Sequence, residues 1–491
     1  MGFKADTSFL RFLSMGAAGA RQTMMQMRAA GFEPIELERY CTSNKIWSTK
    51  VKRLRLPDIL CVRTGLRVEV RAKTDLKIRM SDAPTNPERR WHAGLRDIDL
   101  CAFIACFDEN GTPVPTDEAV FFNVGDLKLT EEQSELGTPK SASEGAERDR
   151  TWASIVPSRN GVVQSVDASV MRVLMNADNH APQRNQTYQL HGKIPYVVAG
   201  DNFVGKASIL AGLPAKRVDL DVYRNQQYDP LADVAAENPV DRYAAVKSLP
   251  FRPDKRAVAV AAIEQRLDIE PETRVLLEAA GAGATLGSAK AQELLEAFVW
   301  KHDAADLRME AVLILTESKR ATARPILLRI ATDPQFAEDE IRQAAVWGLG
   351  KAGLRQYADL VPFLGDRESD VVLHAIAGFG ADVPVPVIDE LVRALIEPNS
   401  RSAAAASEAL RRIGSDVAVS HVIQAARASE APSEWLLVTL GRFSESRVRH
   451  ALAGDPLLNR VSPILLLSGQ SNWLAEDAVD IDLKFLLKQN L

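Results

Sequence analysis

Apolar positions follow a helical spacing through Ser8–Arg28, which predicts a leading helix ending near Ala30, with Gly31 suited to the position just past it. Strand-like runs follow at Glu33–Arg39, Pro57–Arg63, Leu66–Lys73, Leu100–Phe107 and Ala119–Val124, so residues 1–130 read as a mixed α/β domain. Residues 131–150 are polar, carry few large apolar side chains and are dotted with Gly, Ser and Pro, the composition of a linker. Short β-like runs at Trp152–Val156, Gly161–Val166, Tyr188–Leu190 and Ile194–Ala199 predict a small β-rich module over 151–234.

From residue 235 to 491 the chain turns Ala- and Leu-rich and repeats. Helix-closing apolar positions recur at Leu249, Ala282, Leu315, Leu349, Phe379, Leu410 and Leu440, at intervals of 33, 33, 34, 30, 31 and 30 residues. Two amphipathic segments per unit at a steady period predict an α-solenoid, because each helix pair buries its apolar stripe only against its neighbours. The units resemble short HEAT repeats: the Asp-x-x-[Val/Ile/Leu]-Arg-x-x-Ala pattern is clearest at Glu338–Gly350 and looser at Val240–Leu249 and Ala305–Leu315. That resemblance implies a surface that holds a protein or nucleic-acid partner. The expected fold class is therefore multidomain, α/β followed by all-α.

Composition excludes disorder, collagen and a disulfide scaffold: of 491 residues, 46% are apolar and 25% charged, and there are only 4 cysteines, Cys41, Cys61, Cys101 and Cys106, none in a CxxC spacing. No run is apolar for the length of a membrane helix, and Asp6 and Arg11 interrupt what a signal peptide would keep apolar. A cytoplasmic location with reduced thiols is expected. The net charge of −5 conceals an asymmetry: Arg39–Arg79 holds twelve basic and three acidic residues, a local +9 that leaves −14 on the rest. Such a field suits a polyanion.

Within that basic stretch lies LPDILCVRTGLRVEVRAK. Asp58 opens one apolar strand, Glu69 sits inside the next, and Thr64-Gly65 can turn between them. Strand alternation places Glu69, Arg71 and Lys73 on one face and Val68, Val70 and Ala72 on the other. A hairpin would bring the two carboxylates together, an arrangement that a hard divalent cation relieves. Such a metal activates water and steadies a phosphodiester transition state.

Pro57, Asp58 and Glu69 resemble the motif of the PD-(D/E)xK nucleases, the fold of many restriction endonucleases, over the first 125 residues or so. By that resemblance Asp58, Glu69 and the Val70 carbonyl would bind Mg2+ or Mn2+, and the catalytic set would be Asp58, Glu69, Arg71 and Lys73. Arg71 stands where the motif has Lys and cannot act as a base; Lys73, two residues on, keeps the same strand face. The leading helix has no acidic residue, and Gln22, Gln26 or Glu36 might stand in for one. Lys45, Lys50, Lys52, Arg53, Arg55, Lys77, Arg79, Arg89 and Arg90 would neutralise phosphates, and Trp47 or Trp91-His92 could stack on a base or pack in a core. Gly200-x4-Gly205-Lys206 has phosphate-loop spacing, but Ala207 replaces the magnesium-holding Ser or Thr and no nucleotide-binding sheet has room to follow. The function expected is a metal-dependent DNA endonuclease of a bacterial restriction or phage-defence kind, RNA remaining an open substrate, with a protein partner on the repeat and a possible homodimer. The competing reading is a non-catalytic nucleic-acid-binding scaffold that recruits partner proteins.

Overall fold

The computed structural model describes residues 7–37, 47, 49, 51, 54–109, 112–140, 147–179, 181–213, 216–318, 322–351, 353–397, 399–428 and 433–468. The chain forms two compact units, one of residues 2–46 and 52–276, the other of 277–491 together with Trp47–Val51.

The first unit is built on a twisted mixed sheet. Strands β1 (Pro34–Glu36), β2 (Ile59–Cys61) and β3 (Arg67–Lys73) form an antiparallel meander. After β4 (Arg79–Asp82), β5 (Leu100–Glu109) lies parallel to β3, with Glu69 opposite Cys101 and Lys73 opposite Ala105. Next come β6 (Thr112–Pro115) and β7 (Val120–Asn123), both antiparallel to β5. Helix α1 (Thr7–Ala29) packs on one face, over Val68, Val70, Ala72, Ala102 and Ile104. A methyl group at Gly19 would lie 2.7 Å from the Ala72 Cβ, so glycine there lets the helix lie close against β3. The helix ends as expected: Gly31 takes φ +84° and the Phe32 amide donates to the Met27 carbonyl.

The other face of the sheet is also covered. Cys101, Phe103, Ala105 and Phe122 pack against Ile78, Met80, Trp91, Trp152 and Ile209. Part of this cover comes from the stretch expected to be a linker. Short helix α2 (Val124–Leu129) precedes it, and it contributes β8 (Glu135–Leu136) and most of β9 (Arg148–Thr151), which pairs with β4. Arg150 holds it down through an ion pair at 2.7 Å to the fully buried Asp82, a tertiary anchor that local composition does not reveal.

Residues 151–234 contribute β10 (Ser154–Ile155), β11 (Gly161–Val166), β12 (Val170–Met175), β13 (Arg184–Gln189), β14 (Ile194–Pro195), β15 (Asn202–Phe203) and β16 (Ala211–Gly212) in small sheets. The last strand, β17 (Arg217–Val218), returns to the edge of the main sheet opposite Phe121 and Phe122. Helices α3 (Pro239–Ser248), α4 (Arg256–Ile269) and the start of α5 (Thr273–Leu286) also belong to this unit, Val240, Tyr243, Ala244 and Val275 packing with Leu37, Leu56 and Leu60.

The second unit is a helical stack. Its helices are α6 (Ala289–Lys301), α7 (Ala305–Glu317), α8 (Ala323–Thr332), α9 (Glu340–Leu349), α10 (Ser369–Ala377), α11 (Val385–Ala394), α12 (Ser400–Ile413), α13 (Asp416–Ala428), α14 (Glu434–Arg442), α15 (Glu445–Ala451) and α16 (Leu457–Ser468). Helices α7, α9, α10, α12, α14 and α16 contact one another in sequence as one layer, with α6, α8, α11 and α13 packed beside their partners. The thirty-residue period falls on that layer. Leu315, Leu349, Phe379, Leu410 and Leu440 lie in or just after its members and are buried. Polar signals set the helix starts: side chains of Ser288, Asp339, Asn399 and Ser433 accept amide hydrogens at the first turns of α6, α9, α12 and α14. Ion pairs then tie each repeat to the next, Arg308 to Asp339 at 3.3 Å, Arg324 to Asp359 at 2.6 Å and Arg342 to Asp366. The Asp and Arg of the repeat motif thus serve as helix cap and inter-repeat bridge.

Candidate functional site

The hairpin places Asp58 beside Glu69. Ile59 pairs with Val68 and Leu60 with Arg67, and Gly65 turns the chain at φ +71°. The Asp58 carboxylate accepts the Val70 amide hydrogen at 2.7 Å, so it is spent in part on closing its own hairpin. Glu69 is 6% exposed and pairs with Arg71 at 2.5 Å. Both carboxylates, with Asp99, bear on the Cys101 thiol, whose pKa burial already pushes far up. Glu69, Arg71 and Lys73 do share a strand face, but it is the face roofed by the second layer rather than an open cleft.

Among the described residues Lys73 finds no hydrogen-bond or ion-pair partner. Burial lowers its pKa to about 8, aided by the neighbouring charges of Arg71 and Arg79 and opposed by Asp149. Among the expected phosphate-binding residues, Lys45, Lys50, Lys52 and Arg53 lie outside the described residues, and Arg55 is exposed. The other four meet carboxylates: Lys77 to Asp75 at 3.1 Å, Arg79 to Asp75 at 3.6 Å and to Asp149 at 4.0 Å, Arg89 to Glu147 at 2.7 Å, and Arg90 to Glu131. Arg67, another member of the basic count, is buried between Asp99 and Asp241 at 2.8 Å each. Within the described part of the basic stretch, Lys77 and Arg79 thus share the local Asp75, while acids from elsewhere in the chain reach Arg67 and Arg79.

The stacking candidates are interior groups. Trp91 is buried, its indole N–H donates to Glu131 at 3.0 Å, and its ring meets Trp152 edge-on. Burial lowers the His92 pKa, with help from Lys128 and Arg90. Gln22 donates to the Asp117 carbonyl and Gln26 exchanges hydrogen bonds with the Ala119 backbone, so both hold the β6–β7 connection; Glu36 lies in β1. In the phosphate-loop look-alike, Gly205 N–H donates to Asn160 and Lys206 N–H to the Pro157 carbonyl, leaving a strapped turn rather than a cradle of free amides.

A second cluster lies in the helical unit, and of its members the sequence singles out only Trp47. Trp47 is 1% exposed, with Trp347 of α9 edge-on at 6.1 Å and His374 of α10 at 5.0 Å. The Thr49 amide donates to the Glu340 carboxylate at 2.8 Å, and Val51 is buried. The Lys351 ammonium stands 3.9 Å over the Trp347 ring, and burial lowers its pKa to about 7, with a contribution from Arg412. His374 Nδ1 has no hydrogen-bond partner, and burial, then Lys351, lowers its pKa to about 3.

No protein-family model matches the chain, and no curated protein does. Solved structures match about half of it. The complex of CpcE and CpcF of phycocyanin lyase from Nostoc sp. is 19% identical, covers 50% of this chain and 96% of its own, and has a TM-score of 0.26. Human deoxyhypusine hydroxylase is 17% identical over 50% of this chain and 93% of its own, with a TM-score of 0.18. An engineered protein is 16% identical over 53% and 77%, at 0.27. Scores this low identify no relative.

The nuclease expectation is corrected on both counts. The two natural proteins named are a phycocyanin lyase and a deoxyhypusine hydroxylase, not PD-(D/E)xK nucleases. In the molecule itself, Asp58 serves the Val70 amide and Glu69 serves Arg71 beneath a covered face. Among the described residues no group of three His, Cys, Asp or Glu side chains could hold a metal ion. None of their helices is long and apolar enough to cross a membrane.

Proposed function

We propose that this chain is a protein-binding scaffold in which a HEAT-like helical repeat engages a partner polypeptide. The observation that supports it most is the peptide already seated there: Trp47–Val51, far upstream in sequence, lies within the helical unit, bound by aromatic packing and a backbone hydrogen bond to Glu340. A helix stack that takes up residues distant in sequence through a main-chain hydrogen bond and a buried aromatic anchor has two ingredients of peptide binding. The half-buried charged pairs of the stack bridge one repeat to the next.

The test is site-specific photo-crosslinking in the native host. A photoreactive residue is placed at the exposed positions Val385 and Val417 of the repeat, and at Val222 and Gln189 of the α/β unit. The reading expects one recurrent protein joined from the repeat positions. Adducts confined to the α/β positions, or none that recurs, would sink it.

A further inference from the structure

At the end of β3 the ionic groups of the α/β unit are short of one anion. Among the described residues, three cations there share two carboxylates: Lys77 pairs with Asp75 at 3.1 Å, Lys140 with Asp149 at 2.9 Å, and Arg79 is divided between Asp75 at 3.6 Å and Asp149 at 4.0 Å. Arg71 takes Glu69 at 2.5 Å. Lys73 stands within the field of Arg71, Arg79, Lys140 and Asp149 with no partner of its own. We propose that Lys73 is a carbamylation site, where its amine takes up dissolved carbon dioxide and the carbamate so formed supplies the missing anion to Arg79 and Lys140. This goes beyond the scaffold reading and does not depend on the repeat.

The geometry carries it in three steps. Lys73 shares the face of β3 that carries Glu69 and Arg71, and β4 and β9 cover that face with Arg79 and Asp149, while Lys140 bridges Ser81 of β4 at 2.9 Å and Asp149. The charge count then favours a change of sign at Lys73: protonated, it makes four cations against the two carboxylates Asp75 and Asp149, and as a carbamate it leaves three against three. Finally, Arg79 Nε is buried without an acceptor, and both carboxylates that Arg79 reaches are distant for hydrogen bonds. A carbamate oxygen is the acceptor such a donor lacks.

The chemistry needs no other group. Burial, then Arg71 and Arg79, lowers the Lys73 pKa to about 8, so a share of the amine is free base near neutral pH. Its nitrogen lone pair attacks the carbon of carbon dioxide; the N–C bond forms, one C–O π bond opens onto oxygen, and the nitrogen loses one proton to water. Nothing is oxidised or reduced. Carbon dioxide is small and uncharged, so it reaches a half-buried amine without the desolvation that an anion from solution would pay.

The test incubates the full-length chain with isotopically labelled bicarbonate near pH 8, where half of Lys73 is free base. Triethyloxonium then traps any carbamate as its ethyl ester, and digestion with tandem mass spectrometry locates the label. Label should concentrate on Lys73. Lys351 is the internal control: its pKa is lower still, about 7, but its nitrogen stands 3.9 Å over the Trp347 ring, whose negative face disfavours a carbamate. Arg79→Met should cut the Lys73 label about tenfold, the worth of one charge-assisted hydrogen bond. Acetylation of Lys73 by acetic anhydride needs only the free amine and leaves no charge, so it should fall far less in that variant. Absence of label on Lys73 in wild type overturns the proposal. So does label on Lys351 equal to that on Lys73, or an equal fall of label and acetylation in Arg79→Met, since either would mean that a free amine alone suffices.

Discussion

Asp99→Asn should be the most damaging isosteric substitution in the α/β unit. Arg67 is 1% exposed in the middle of the sheet, and its guanidinium meets the fully buried Asp99 through Nη2 at 2.8 Å and Nε at 3.0 Å. Asp99 also accepts the Arg96 backbone N–H at 2.7 Å and the Arg96 Nε at 3.0 Å. Its carboxylate therefore serves four donors, and the amide that replaces it offers a single acceptor and no charge. The Arg67 cation would be left buried with Asp241 alone, whose side chain is 22% exposed. Removing one partner of a buried pair costs about 3–5 kcal/mol, because the surviving charge stays desolvated. For a unit of this size that lowers the melting temperature by roughly 10 °C. Asp241→Asn, at the wetter end, should cost about 1 kcal/mol. Urea unfolding gives the free energies, and hydrogen exchange of peptides from β3 and β5 assigns the loss to this unit. In the double variant Arg67→Met with Asp99→Leu, the two losses should fall short of their sum by about 2 kcal/mol. A loss under 1 kcal/mol for Asp99→Asn, or strict additivity in the double variant, would refute the reasoning.

Other outcomes follow from the same geometry. Gly350→Ala would put a methyl group 2.8 Å from the Gly378 Cα, and the helical unit should lose about 1–3 kcal/mol in calorimetry. His374 is held neutral by burial, with a pKa of about 3, while the unfolded chain takes up a proton near the ordinary 6.5. Stability from this residue is therefore complete above pH 6.5 and lost as pH falls from there toward 3, and His374→Phe should flatten that acid limb in urea titrations. Lys73 has its pKa lowered to about 8, so its charged form is penalised on folding below pH 8 and stability rises as pH climbs from 8 toward 10.5. Acylation followed by mass spectrometry should show Lys73 reacting at half its limiting rate near pH 8. Asp58→Ala removes the acceptor of the Val70 amide and should cost about 1–3 kcal/mol, read by denaturation.

Periodic features of the fold were legible because they depend on neighbours in sequence. The strand alternation from Val68 to Lys73 and the turn at Gly65 gave the β2–β3 hairpin and the approach of Asp58 to Glu69. The thirty-residue rhythm gave the layer containing Leu315, Leu349, Leu410 and Leu440, since each repeat buries its stripe in the same way. Residues 131–150 were not legible. Their polarity is that of a linker, and they are ordered where Arg150 reaches the buried Asp82, 68 residues away.

The reading of the basic stretch met a related limit. A charge count along the chain treats neighbours in sequence as neighbours in space, and some of the acids that answer this basic stretch come from outside it. Asp99 and Asp241 take Arg67, Asp149 faces Arg79, and just beyond the window Arg89 and Arg90 find Glu147 and Glu131. At these separations a partner in the low-dielectric interior outweighs a summed field that salt would screen. The polar face of β3 misled in the same manner: three charges in alternation imply water or a ligand only if nothing roofs that face, and Ile78, Met80 and Trp152 do. Trp47 carries the converse lesson. Among basic residues it read as a residue that stacks on a base or packs in a core, and its partners are Trp347 and His374, some three hundred residues on, in the interior of the helical unit.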